Sequence, residues 1–283
     1  MNAYRELGVV FKCGENRLVG IAAIPEAAAD IGVLILVGGP QYRVGSHRQF
    51  TLLARSLAEA GFASLRFDYT GMGDSEGGEQ EFDKTKEDIS AAIDVLFETV
   101  PGICRVVLWG LCDAASSAMI FAHSDARVTG MILLNPWVHK GEYSPDVKLA
   151  HFYAPFVFSK DQWGRLLSGK IKLIPSVKEL AADALALVSK RSAAVFRRTP
   201  SRSYIDDMLD GVQCFHHDIL IVLSEADLTA REFSTLIAQE KDWKAVTSRP
   251  TITVKTVLEA DHTFSQKSWT QQVSQMTIDW LRR

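Results

Sequence analysis

The segment RVVLWGLCDAASSAMIF, residues 105–121, limits what this chain can fold into more than any other stretch. It begins with an apolar run of strand length, passes through the turn sequence GLCDA and ends in small residues typical of a helix. Cys112 is central in the turn, and the small residues Gly110 and Ala114 flank it. This pattern predicts a nucleophile elbow, in which strand and helix pass too closely for bulky neighbours. The alternative is a buried cysteine in an ordinary strand-to-helix turn, because free cysteine is often buried.

The rest of the chain alternates strand and helix patterns, which predicts a mostly parallel, doubly wound α/β sheet. Two strand-like runs, residues 4–11 and 17–24, are joined by the turn sequence CGEN and predict an N-terminal antiparallel hairpin. Further strands are predicted over residues 32–37, 63–67, 106–109, 128–134, 219–223 and 251–257. Helices are predicted over residues 46–60, 83–98 and 115–122 and also after Thr229 and Ser268.

Residues 138–213 interrupt this alternation with short amphipathic helical patterns and many aromatic residues. Residues 139–213 have four more basic than acidic side chains, although the whole chain has a net charge of −3. A helical insertion at this point predicts a lid over the C-terminal edge of the sheet, where open α/β folds bind ligands. A helical subdomain with only a structural role is the alternative. We therefore expect a core of residues 1–137 and 214–283 and a lid of residues 138–213.

An elbow nucleophile needs a base and an acid that orients the base, and both follow it in loops after strands. The loop after the next-to-last predicted strand contains Asp227, the preferred acid, and Glu225, the second choice. His262 follows the last strand and is the predicted base. His47 is the weaker alternative because it lies at the start of a predicted helix. We therefore predict a catalytic triad of Cys112, His262 and Asp227.

Two backbone N–H groups are expected to stabilise an oxyanion. One belongs to Asp113, the residue after the nucleophile, and the other to the loop GGPQYR after the first parallel strand. Because proline has no N–H, Gln41 is the predicted donor of that loop and Tyr42 the alternative. Tyr42, Trp137 and Phe264 lie in or beside the predicted site loops and are expected to contact the substrate.

A thiol in place of a hydroxyl changes the expected chemistry. A helix N-terminus and a neighbouring histidine lower the pKa of a cysteine, so we expect Cys112 and His262 to rest as a thiolate and an imidazolium. The negative charge of Asp113 opposes this effect. Since a thiolate is also a good leaving group, activated acyl groups such as esters, thioesters and lactones are expected to be better substrates than peptides.

Four segments carry a resemblance to a known family: GGPQYRVGSHRQF, RFDYTGMGDSEG, LWGLCDAAS and LLNPWV. With Asp227 and His262 they resemble the α/β-hydrolase superfamily and, more narrowly, the hydrolase type 1 associated with the exosortase A system. Members of that family accompany exopolysaccharide production and protein sorting in Gram-negative bacteria. The resemblance implies an α/β-hydrolase fold and a small-molecule acyl or acylated-saccharide substrate. Two departures from the superfamily pattern are Cys112 in place of serine and Gly38 in place of the usual histidine before glycine.

Three further interpretations stay open. An acyltransferase would pass the acyl group to a sugar hydroxyl instead of water. A ligand-binding accessory protein would keep the fold without turnover. A basic, aromatic lid would also suit peripheral contact with an anionic membrane surface.

Composition excludes several classes of function. A net charge of −3 argues against a nucleic-acid binder. No apolar run approaches the ~18 residues that span a bilayer, and the first residues lack the pattern of a secretory signal. The cysteines are scattered without a C-x-x-C pair, which is typical of a reducing compartment, so we expect a cytoplasmic protein.

No metal or organic cofactor is expected. His216 and His217 lie near Cys214, but no second group of ligands completes a metal site. Gly71 and Gly73 lack the third glycine of a dinucleotide-binding fingerprint.

Overall fold

The computed structural model describes residues 3–39, 41–139 and 202–283. An eight-stranded sheet in these residues has the strand order β1-β2-β4-β3-β5-β6-β7-β8. The strands are β1 Tyr4–Cys13, β2 Asn16–Pro25, β3 Ile31–Leu36, β4 Ala63–Phe67, β5 Arg105–Leu111, β6 Val128–Leu134, β7 Asp218–Ser224 and β8 Ile252–Val257. Strand β2 pairs antiparallel with β1 and β4, and all other neighbouring strands are parallel. The predicted α/β fold with an N-terminal antiparallel hairpin is confirmed.

Helices flank the sheet, as parallel strands require, because each crossover must return along a face of the sheet. Within the described ranges they are α1 Gln49–Glu59, α2 Lys86–Thr99, α3 Asp113–Phe121, α4 Tyr204–Cys214, α5 Leu228–Gln239, α6 Lys241–Thr247 and α7 Lys267–Leu281. Helix α1 begins later than predicted, because a separate 3-10 turn, Ser46–Arg48, precedes it. The prediction did not include the short helix α6.

The central strands are buried on both faces, which explains their continuous apolar sequence. Val33, Leu34 and Leu36 in β3 are fully buried. Strand β4 is also buried throughout and includes Arg66, whose guanidinium donates to the Glu6 carboxylate at 2.9 Å. This pairing offsets the cost of removing a charged side chain from water. The core therefore holds the C-terminal ends of β3 to β6 at fixed positions.

The chain divides into two compact units, Met1–His139 with Tyr204–Arg283, and Lys140–Ser203. Most of the predicted lid lies outside the described residues, so the lid stays a prediction. Helix α4, which the sequence assigned to that segment, belongs to the unit that contains the sheet and packs against α3. The close approach depends on Gly211, where a Cβ would overlap the Met119 carbonyl oxygen.

No helix in the described part of the chain is both long enough and apolar enough to cross a membrane.

Candidate active site

Cys112 lies at the turn between β5 and α3, with φ 62° and ψ −125°. Side chains other than glycine rarely adopt a positive φ, so this backbone stores strain at the turn. The strand and helix pass closely here, because a Cβ on Gly110 would lie 2.7 Å from the carbonyl carbon of Ala114. The Cys112 N–H is held by the Leu134 carbonyl of β6 at 2.9 Å. The turn therefore has the geometry expected of a nucleophile elbow.

The surroundings of the Cys112 thiol disfavour its ionised form. Burial raises the pKa of the thiol well above its usual value, and the negative charges of Asp113 and Asp227 add to this effect. The backbone N–H of Asp113 opposes the increase by donating toward the sulfur. Within the described residues, no hydrogen bond joins the thiol to His262. The direction of this pKa shift is opposite to the one expected for a resting thiolate, since burial and nearby anions outweigh the helix N-terminus.

This pKa shift predicts the pH dependence of thiol alkylation. Only the thiolate reacts with iodoacetamide, so the alkylation rate of Cys112 should stay low at pH 7 and should still be rising above about pH 8.5. The raised pKa of the folded thiol moves the midpoint of this rise to higher pH than in the unfolded chain. Peptide mass spectrometry measures each rate, with the exposed Cys104 and Cys214 as internal controls.

A rate midpoint for Cys112 below those of Cys104 and Cys214 would contradict a neutral thiol. A lower alkylation rate of Cys112 in the His262→Ala variant would support a thiolate–imidazolium pair in the wild-type protein. We expect that substitution to leave the alkylation profile nearly unchanged.

His262 and Asp227, the predicted base and acid, are hydrogen-bonded to each other. The His262 Nδ1–H donates to Asp227 Oδ2 at 2.9 Å, which leaves Nε2 for proton transfer. The same carboxylate oxygen accepts the Ala230 N–H at 3.0 Å and so caps the N-terminus of α5. Burial alone raises the pKa of Asp227, but the His262 hydrogen bond and the N–H groups of Ala230 and Thr229 outweigh it. The pKa lies below its usual value, and the carboxylate is ionised at neutral pH.

The alternative acid and base have other contacts. The Glu225 carboxylate accepts the N–H of Glu259 at 2.9 Å and so holds the loop after β8. His47 lies in the 3-10 turn before α1 with φ 53°. The structure therefore pairs His262, and not His47, with Asp227.

A buried polar network that the sequence analysis missed holds the base loop in place. Asn135 is fully buried directly after β6, with φ 44°. Its Nδ2 donates to Ser224 Oγ at 2.9 Å and to the His262 carbonyl at 3.0 Å. Ser224 returns its N–H to Asn135 Oδ1 at 2.8 Å and donates its hydroxyl to the Asp261 carbonyl at 2.9 Å. Asn135 therefore links the ends of β6 and β7 to the loop of the base.

The loop after β3 presents a different N–H from the one predicted. The Gln41 N–H donates to the Gly39 carbonyl at 2.8 Å, so it is turned back on its own loop. The Gly39 N–H instead reaches the elbow and donates to the Asp113 carboxylate, at 2.7 Å to Oδ1 and 3.0 Å to Oδ2. The structure thus brings Gly39, rather than Gln41, to the residue that follows Cys112.

The motif DYTGMGDS anchors this loop. Asp68 is fully buried, and its carboxylate accepts the Arg43 N–H at 2.6 Å and the Asp74 N–H at 3.0 Å. The Arg43 guanidinium pairs with both Asp68 and Asp74. Gly73 is required because a Cβ there would overlap the Asp68 carboxylate. The motif has a structural task, since it fixes the loop after β3 to the loop after β4.

The three residues expected to contact substrate lie in different surroundings. Tyr42 is 48% exposed on the loop after β3. The Trp137 N–H donates to the Cys112 carbonyl at 3.3 Å, so its backbone supports the elbow. Phe264 is buried and lines a small, partly open cavity with Trp109 and Val273. Its contact with substrate stays a prediction.

In the described ranges, no group of three His, Cys, Asp or Glu residues is placed to hold a metal ion.

The mostly parallel sheet, with an elbow after β5, an acid after β7 and a histidine after β8, defines an α/β-hydrolase. Residues 32–232 match the model of the family described as serine aminopeptidase, S33. The chain belongs to this family, and it carries cysteine at the elbow.

Solved structures of several hydrolases share the fold. An esterase from Pyrococcus furiosus is 15% identical, with a TM-score of 0.64 over 100% of this chain and 93% of the esterase. A dienelactone hydrolase from Anabaena variabilis is 15% identical, with a TM-score of 0.62 over 99% of this chain and 97% of that one. A proline iminopeptidase from Mycobacterium smegmatis is 12% identical, with a TM-score of 0.58 over 98% of each chain. No protein of curated function matches the sequence.

Proposed function

We propose that this protein hydrolyses esters or thioesters through Cys112, His262 and Asp227. The observation that carries the proposal is the His262–Asp227 hydrogen bond of 2.9 Å, formed at the sheet edge where Cys112 occupies a strained turn. The pair supplies an oriented base, and the turn supplies a nucleophile at the start of a helix. Membership of an α/β-hydrolase family supports the reaction class.

A thiol with a raised pKa requires deprotonation during attack. His262 Nε2 takes the thiol proton while the Cys112 sulfur bonds to the acyl carbon and the carbonyl electron pair moves to oxygen. As the tetrahedral intermediate collapses, the bond to the leaving alcohol or thiol breaks, and His262 returns the proton to that group. Water then attacks the thioester while His262 Nε2 takes its proton, and as the carbon–sulfur bond breaks the imidazolium returns that proton to the Cys112 sulfur and the free acid leaves. Asp227 stabilises the imidazolium in both steps.

The oxyanion would be stabilised by backbone N–H groups. The N–H of Asp113 is directed toward the Cys112 sulfur, as expected for the residue that follows a nucleophile. Gly39 is the proposed second donor in place of Gln41, because its N–H reaches the elbow.

The proposed substrates are small acyl esters and thioesters, including acylated saccharides. Four segments in the first half of the chain resemble the exosortase-associated hydrolase family. This resemblance supports a saccharide substrate and a link with exosortase and exopolysaccharide pathways. A cytoplasmic location and membrane contact through the lid are expectations from the sequence alone.

The test is to trap the acyl-enzyme. The protein is mixed with p-nitrophenyl butyrate, quenched in acid within the first turnovers and digested for mass spectrometry. We expect a butyryl mass increment on the peptide that contains Cys112 and a burst of p-nitrophenol equal to the enzyme concentration. A protein that turns over the ester without any adduct or burst, even when deacylation is slowed at low pH, would contradict a covalent route. Adding glucose or glycerol as acceptor shows whether the acyl group passes to a hydroxyl instead of water.

A second function, ligand binding without turnover, is favoured by one observation. Burial raises the pKa of the thiol, and among the described residues the thiol makes no hydrogen bond to His262. Equal and negligible ester hydrolysis by the wild-type protein and the Cys112→Ala variant would support this function over the enzyme.

A further inference from the structure

The Asp113 side chain already binds a backbone N–H that the oxyanion of a tetrahedral intermediate would need. Asp113 is the first residue of α3, and its carboxylate accepts the Gly39 N–H through both oxygens, at 2.7 and 3.0 Å. The fit is close, because a Cβ on Gly38 would lie 2.5 Å from Asp113 Oδ1. The loop after β3 and the start of α3 therefore meet through this carboxylate.

An oxyanion and this carboxylate would compete for one donor. The oxyanion of acyl transfer takes one N–H from the residue after the nucleophile and one from the loop after β3. Gly39 provides the loop N–H that reaches the elbow, and it is already bound to an anion. A backbone N–H has one hydrogen, and two negative oxygens placed side by side repel each other. Both therefore cannot occupy the Gly39 N–H at the same time.

The charge of Asp113 also reaches the neighbouring groups. After burial, it is the largest contribution that raises the pKa of the Cys112 thiol. The same charge is, after burial, the main cause of the raised pKa of the buried Tyr69 hydroxyl. The carboxylate thus opposes negative charge at the elbow, both on the thiol and on a nearby phenol.

We propose that the Asp113 carboxylate is an internal competitor for the oxyanion hole, and that substrate must displace it from the Gly39 N–H before the acyl-enzyme forms. This inference rests on the proposed function, since it assumes attack by Cys112. It assigns to the Asp113 side chain a restraint on activity, while the Asp113 backbone N–H assists the reaction.

Two variants test the competitor. Asp113→Ala removes the carboxylate and leaves the Gly39 N–H open to substrate. Asp113→Asn keeps the size of the side chain and one oxygen that can accept the Gly39 N–H, but it removes the charge, which weakens that competition, and adds an amide N–H that can donate to the oxyanion. We expect each variant to raise kcat/KM for p-nitrophenyl butyrate at least fivefold and to raise the alkylation rate of Cys112 at pH 7.5 severalfold.

The matched control is Asp94→Asn, which removes an exposed carboxylate of α2 that pairs with Arg127 at 2.6 Å. We expect this variant to leave both rates unchanged. Thermal unfolding of every variant separates a catalytic effect from loss of folded protein, and Asp113→Asn preserves the shape of the site if Asp113→Ala does not fold.

Each outcome bears on a different claim. Hydrolysis that depends on Cys112 but is not accelerated in the folded Asp113 variants overturns the competitor role alone. Hydrolysis that persists in Cys112→Ala overturns the proposed function and this inference with it. If the wild-type protein is inactive, a gain of Cys112-dependent hydrolysis in an Asp113 variant supports the competitor role, and no gain overturns it.

Discussion

Cys112→Ala should lower kcat/KM for p-nitrophenyl butyrate by at least about 1,000-fold, because alanine cannot form the acyl-enzyme. The folded structure should persist, since the substitution removes one buried sulfur and should cost about 1 kcal/mol of unfolding free energy. Initial rates and thermal unfolding, measured on the same preparation, separate these two effects. Cys104→Ser is the matched control, because Cys104 is exposed and its thiol donates to the Asp30 carboxylate at 3.7 Å, on a different loop from the elbow.

Cys112→Ser gives a second comparison. Serine places a hydroxyl on the same strained turn, so we expect activity between that of the wild-type protein and that of the alanine variant. If Cys112→Ala stays within tenfold of the wild-type rate, the nucleophile lies elsewhere and the proposed reaction is wrong.

The second large effect is expected at Asn135. Asn135→Ala leaves the Ser224 N–H and the His262 carbonyl without their buried partner, and alanine is disfavoured at φ 44°. We expect a loss of about 2–4 kcal/mol in the free energy of unfolding, as is usual for a broken buried network. We also expect kcat to fall roughly 10- to 100-fold with little change in KM, because the base is displaced while the substrate surface stays the same.

Urea unfolding and steady-state kinetics measure these effects. Two further variants separate the backbone strain from the loss of the hydrogen bonds. Asn135→Gly removes the same side chain but tolerates the positive φ, so the difference between glycine and alanine reports the backbone strain. Asn135→Asp keeps an acceptor for the Ser224 N–H and loses the donor to the His262 carbonyl. A normal kcat in the folded variants would limit Asn135 to stability and would remove its role in positioning His262.

The sequence was sufficient where structure depends on local apolar pattern. Strands Ala63–Phe67 and Val128–Leu134 have the predicted bounds, because each is a buried run that ends at a turn or a helix signal. The pairing of His262 with Asp227 was also predictable, since loops after parallel strands meet at one edge of the sheet.

Other features depend on contacts that sequence spacing does not encode. The choice of Gly39 over Gln41 follows from the turn that returns the Gln41 N–H to the Gly39 carbonyl. The raised pKa of Cys112 follows from the depth of burial and from the placement of the Asp113 carboxylate. Asn135 offered one signal, a polar residue between a buried strand and a proline, but its partners lie in β7 and the loop after β8.

Asp227 Oδ2 serves two neighbours, the His262 ring and the first turn of α5. A variant in which another strand supplies the acid would therefore also need a new N-cap for this helix. Loss of an N-cap costs about 1 kcal/mol, so the two changes must arrive together or in an order that the fold tolerates. Moving the acid to another strand is thus tied to the stability of α5.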